Sequence, residues 1–193
     1  MWAVLVVSHT GQLMEQTALT GSRIGARFAS GYARTLLHVV SIPAVIAMAV
    51  IVFLLALWRG SRRRALWAAG TIAATNASAQ LLKHTLLWRP DFGLSQRWDA
   101  ANTLPSGHTA VAASTAVALV LVVGARWRSL TAWVGALLAA AMGYSTLVCQ
   151  WHRPGDVMAA LLLAVGWGAV AVACGAWAND EPAPGGRTGP DDG

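Results

Sequence analysis

The stretch from Leu104 to Thr109 reads LPSGHT, and WHRPGD runs from Trp151 to Asp156. Each sets a histidine among turn-forming residues just ahead of a long apolar run. In the second, His152 and Asp156 stand four residues apart, the spacing that brings two side chains onto one helix face. A carboxylate so placed accepts one imidazole N–H, fixes the tautomer and leaves the other ring nitrogen free as a nucleophile. The plainer role of an Asp ahead of an apolar run is to cap the helix, and spacing alone leaves both readings open. Ser106 also reads as an N-cap. Gly107 adds to this, because a residue without a side chain lets a ligand approach the unpaired N–H groups of a helix N-terminus, which attract anions. His108, in the same first turn, is placed to donate a proton to whatever the anion carries.

Lys83 is the only lysine of the chain and stands in QLLKHTLLWRP, near the end of an apolar run. An ionisable residue there marks a functional site or, more plainly, a lysine that snorkels to the membrane interface. Pro90 disfavours helix at the residue before it, so Arg89 marks the exit of the chain into a loop.

The elements that must position these residues are set by composition. A chain of 193 residues that is 56% hydrophobic and 11% charged does not have a soluble protein's make-up. Four runs are apolar and about 20 residues long, enough to cross a bilayer core of roughly 30 Å: 39–58, 109–125, 130–148 and 157–178. A fifth, 65–88, carries Thr71, Thr75, Asn76, Ser78 and Gln80, which suits a helix packed inside a bundle. The expected fold is therefore all-α, a polytopic transmembrane helical bundle of five full spans plus the short apolar start 1–7. Residues 1–38 form that start and an extracytoplasmic or interfacial segment, read as a partial helix along the membrane surface. Residues 39–178 form the membrane domain, and 179–193, rich in Pro, Gly and Asp, a disordered cytoplasmic tail.

The net charge of +6 does not point to nucleic acid, because the basic residues are scattered among spans. Topology accounts for them better. Arg59, Arg62, Arg63 and Arg64 fill one short loop and Arg126 and Arg128 another, which places both in the cytoplasm. The loop 89–108 and the turn 150–155 then share the outer face of the plasma membrane, together with Lys83, Arg89, Ser106, His108, His152 and Asp156. Arg23, Arg27 and Arg34 run against the bias. Trp58, Trp88, Trp127, Trp151 and Trp177 lie at span ends as an interfacial belt does. Cys149 falls near the outer end of one span and Cys174 near the inner end of the next, too far apart for a disulfide.

The order K…RP, PSGH, S…H-x3-D resembles the type 2 phosphatidic acid phosphatase (PAP2) superfamily, which includes vanadium haloperoxidases and glucose-6-phosphatase. Pro105, Ser106, Gly107 and His108 match the second motif in full. The third, S-R-x5-H-x3-D, keeps its spacing from Ser145 through His152 to Asp156. Two positions depart: Lys83 and Arg89 are separated by five residues instead of six, a rotation of about 100° on an ideal helix, and Thr146 stands where the family has arginine. Arg153 is the candidate to replace that cation. The resemblance implies a six-spanning helical bundle, with 1–7 as what remains of a first span. It also implies a metal-free, cofactor-free phosphatase acting on a lipid phosphate, either a polyprenyl phosphate or diphosphate or a glycerolipid phosphate. By the same resemblance His152 attacks phosphorus to give a phosphohistidine, Asp156 orients it, His108 protonates the leaving oxygen, and Lys83, Arg89, Ser106 and Gly107 bind the phosphoryl oxygens. A vanadate-dependent oxidoreductase and a non-enzymatic lipid-phosphate binding or transport protein with a decayed site are the alternatives.

Overall fold

A computed structural model describes residues 1–39, 42–58, 61–94 and 102–178, less the side chains of 23–25, 27–30, 36–39, 42–46 and 48–49. The tail 179–193 lies outside the described residues, as do Arg59 and part of the loop after Arg89. All regular structure among the described residues is helical: α1 (Trp2–Leu5), α2 (His9–Val39), α3 (Ile42–Trp58), α4 (Arg62–Leu81), a π-helical turn (Leu82–Leu86), α5 (Gly107–Val122), a 3-10 turn (Ala125–Trp127), α6 (Arg128–Val148) and α7 (Pro154–Ala173).

Helix α5 is the hub of the bundle and packs against α3, α4, α6 and α7. It can be approached so closely because the facing residues are small. Helix α4 buries Ala65, Ala68, Thr71, Ile72, Thr75 and Ala79, spaced three and four apart on one face. Of its polar residues, Thr71 and Thr75 are buried and Asn76 Nδ2 donates to Ile72 O at 2.8 Å and to Ser114 Oγ of α5 at 3.2 Å, whereas Gln80 is exposed. On α6, a Cβ at Gly135 would lie 2.6 Å from the Ala116 Cβ of α5, and at Gly168 of α7 it would strike Val117. Helices that share apolar surroundings associate through such close backbone approach.

The segment 9–38 is not a partial helix. It is part of one 31-residue helix, α2, whose buried or half-buried stripe runs Gln12, Glu15, Leu19, Ser22, Ala26 in alternating steps of three and four. The stripe begins on polar residues and lies against α6. Two described segments are long and apolar enough to cross a membrane, Ala125–Val148 and Pro154–Ala173. Helix α5 is apolar but shorter, at 16 residues. Cys149 and Cys174 are free thiols.

Candidate active site

The turn that carries His152 is built by the sequence just before it. Helix α6 ends at Val148, and Gln150 takes a left-handed φ of 58°. Its side chain is held by α2, with Nε2 donating to Leu19 O at 2.9 Å and Ser22 Oγ at 2.8 Å. The reversed chain then folds back on Thr146, whose carbonyl accepts from Trp151 N at 2.9 Å and His152 N at 3.3 Å. Pro154 starts α7 at the position where a missing N–H costs nothing.

Asp156 serves both roles that its spacing left open. Its Oδ2 accepts the Arg153 backbone N–H at 2.9 Å, which caps α7, and lies 3.2 Å from His152 Nδ1. Asp156 is fully buried and His152 8% exposed, so this contact is little screened by water. With Nδ1–H donated to the carboxylate, Nε2 is left as the free nitrogen.

The LPSGHT segment is tied to this turn through the backbone: Ser106 N donates to Asp156 O at 3.0 Å. Ser106 caps α5, its Oγ accepting from Thr109 N at 3.4 Å and Thr109 Oγ1 at 3.0 Å. A Cβ on Gly107 would meet nothing within 4 Å, so the glycine fronts open space at the α5 N-terminus. His108 lies ahead of the apolar run that starts at Thr109, its ring 5.6 Å from that of Trp151. Burial pushes its pKa down, and His152 and then Lys83 push the same way. A negative charge beside the ring acts in the opposite sense and favours the protonated form.

Lys83 sits in the π-helical turn that ends α4, and Leu87 is already extended, with φ −108° and ψ 135°. Arg89 is thus presented by extended chain, and the rotation expected of a five-residue spacing on a helix does not apply. Asn102 locks this exit, its Nδ2 donating to Leu87 O at 3.1 Å and Leu104 O at 3.4 Å. The Arg89 side chain is 5% exposed. Arg153 is also buried and donates from Nη1 to Thr103 Oγ1 at 3.0 Å. Thr146 is fully buried, with its hydroxyl turned back to Gly143 O at 2.7 Å.

The structure thus brings together all eight expected residues, Lys83, Arg89, Ser106, Gly107, His108, His152, Arg153 and Asp156. It adds one that sequence reasoning missed. Glu15 of α2 accepts from Gly155 N at 2.9 Å and lies 3.7 Å from Arg89 Nη1. Its partners are 74 and 140 positions away, so only its place on the buried stripe of α2 could have signalled it.

Three cations, two histidines and the N-terminus of α5 near a buried carboxylate are suited to a phosphoryl-type anion. No curated protein and no solved structure matches the chain. The family model of the PAP2 superfamily matches residues 64–180, which contain every one of the eight expected residues. The chain belongs to the PAP2 superfamily.

Proposed function

We propose that the protein is an integral membrane lipid phosphatase that hydrolyses a phosphomonoester or diphosphate of a lipid through a phosphohistidine. The buried His152–Asp156 pair, surrounded by Lys83, Arg89, His108 and Arg153, carries this reading. His152 Nε2 attacks phosphorus, and the bond to the leaving oxygen breaks as His108 delivers its proton there. Water then attacks the phosphohistidine, with His108 taking up the proton, and releases phosphate. Lys83, Arg89, Arg153, the Ser106 hydroxyl and the Gly107 N–H spread the charge on the equatorial oxygens, where phosphoryl transfer needs most stabilisation.

A lipid as the phosphate carrier is supported by an open-sided apolar cavity of about 550 Å³ between α1, the π-helical turn and α7. Its wall includes Leu82, beside Lys83, and Leu104, two residues before Ser106. It follows α7 from Ala159 to Val170, roughly 16 Å at the rise of a helix. Gly166 lines it, and a Cβ there meets nothing within 4 Å. Gly166→Leu is expected to lower kcat/KM for a long-chain lipid phosphate relative to a short-chain soluble phosphomonoester by roughly tenfold, as befits loss of a few buried methylenes. An unchanged ratio removes the cavity from the binding site.

The general test is phosphate release by purified protein, without added metal, from a polyprenyl phosphate, a polyprenyl diphosphate, phosphatidate and phosphatidylglycerol phosphate. Release from at least one is expected. Failure on all four, with vanadate-dependent halide oxidation in its place, would make the protein an oxidoreductase. Five spans are our reading of the apolar runs, and the arginine loops support an extracytoplasmic site. Asp91→Cys and Arg62→Cys, with Cys149 and Cys174 replaced, test this in intact cells. An impermeant thiol reagent should label only the first, and equal labelling would refute the orientation.

A further inference from the structure

Helices α1 and α2 lie outside the stretch that the family model matches, yet they hold three successive residues of the chain segment bearing Arg89. Trp2 Nε1 donates to Trp88 O at 3.1 Å. Gln12 Nε2 donates to Pro90 O at 2.8 Å and to Val6 O of the α1–α2 turn at 2.7 Å. Between them, Glu15 Oε2 lies 3.7 Å from Arg89 Nη1, with both side chains almost wholly buried. The other oxygen of Glu15 accepts Gly155 N–H, three residues after His152 and next to Asp156. A Cβ at residue 155 would collide with that oxygen, so the glycine is what lets the carboxylate in.

A carboxylate in an anion-binding pocket works against the ligand's charge, so its presence asks for a reason. Burial pushes the Glu15 pKa up, and Asp156 adds to the rise, while Arg89 and the Gly155 N–H oppose it. Glu15 touches no atom of the expected reaction. What it touches is the guanidinium that must meet the phosphoryl oxygens and the turn that bears the nucleophile, and it links the two directly. An arginine on extended chain has no helix to orient it, and a fixed carboxylate supplies that orientation.

We propose that Glu15 is a positioning residue of this site, holding Arg89 and the Gly155 turn in register for the phosphoryl group, with Gln12 and Trp2 fixing the backbone on either side of Arg89. This rests on the reading of the pocket as a phosphoryl site. The N-terminal helices are thereby part of the active site and not only a support for it.

Glu15→Gln keeps an oxygen for Gly155 N–H but removes the charge that faces Arg89. In the purified full chain it should lower kcat/KM for the lipid phosphate roughly 10- to 10²-fold, the scale of a misplaced contact in a preorganised site. It should also weaken orthovanadate, added as a phosphoryl-like anion, by a similar factor. Because the effect runs through Arg89, it should shrink to less than threefold in an Arg89→Lys background. A purely structural loss would persist there in full and would overturn the proposal, as would wild-type kcat/KM and vanadate affinity in Glu15→Gln. Should Glu15→Gln not fold, Gln12→Ala carries the test. It must weaken vanadate in the same direction, and wild-type affinity would overturn the proposal. If the wild type neither releases phosphate nor binds vanadate, the phosphoryl reading itself falls, an outcome distinct from failure of Glu15 alone.

Discussion

His152→Ala is expected to lose turnover by on the order of 10⁴- to 10⁶-fold, the cost of removing a nucleophile that nothing else in the site replaces. The fold should survive the change. Asp156 Oδ2 keeps the Arg153 backbone N–H, so α7 stays capped, and the Thr146 carbonyl keeps its bond from the Trp151 N–H. A melting temperature close to wild type, with activity gone, is the predicted pattern. His108→Ala behaves differently in the same assay, because an acid matters in proportion to the basicity of the leaving oxygen. It should be most damaging for an alkyl phosphate and least for an activated aryl phosphate. Activity that persists in His152→Ala, or that returns only when a divalent metal is supplied, would rule out the phosphohistidine route.

Much of this site was legible in the sequence because its parts are short-range. The His152–Asp156 contact spans four residues, and the Ser106 cap reads directly from a serine ahead of an apolar run. What joins the parts was not legible. The bond from Ser106 N to Asp156 O spans fifty residues, and no periodicity encodes it. The rotation expected between Lys83 and Arg89 assumed a continuous helix, whereas a π-helical turn and an extended Leu87 separate them. Helix α2 reads in the sequence only as a partial surface helix, for a related reason. Its inward stripe opens on Gln12 and Glu15, which hydropathy counts as surface, although their partners Pro90, Arg89 and Gly155 bury them. Polar residues that are paid for by distant partners look like loop until those partners are placed.

Position 146 shows why a departure from a motif is not by itself a defect. The threonine there is fully buried, and it contributes its carbonyl to the turn that presents His152. Its hydroxyl donates to the Gly143 carbonyl of its own helix, and on our reading of the site Arg153 stands in for the third-motif cation. Arg153 is buried and acts electrostatically on both Glu15 and Arg89, which sets its charge within the same cluster. A guanidinium spent only on anchoring to lipid headgroups would be exposed, and this one is 3% exposed.

Arg153→Ala is accordingly expected to cut kcat/KM by roughly 10²-fold or more, the loss that follows removal of one preorganised donor to transition-state charge. The reduction should fall on kcat more than on KM, because the charge on the equatorial oxygens changes most on the way to the transition state. Arg153→Lys should recover part of it, since a lysine restores the charge but not the planar two-point contact. Thr103 provides a separate check. Its hydroxyl accepts from Arg153 Nη1 at 3.0 Å and also interacts with Asp156, so Thr103→Val removes both contacts while leaving the charge of Arg153 in place. That variant should lose less than Arg153→Ala, and combining the two should cost little more than Arg153→Ala alone, because contacting residues are not additive. Near-wild-type turnover of Arg153→Ala in detergent would withdraw the arginine from the site and leave Lys83 and Arg89 as its only phosphoryl cations.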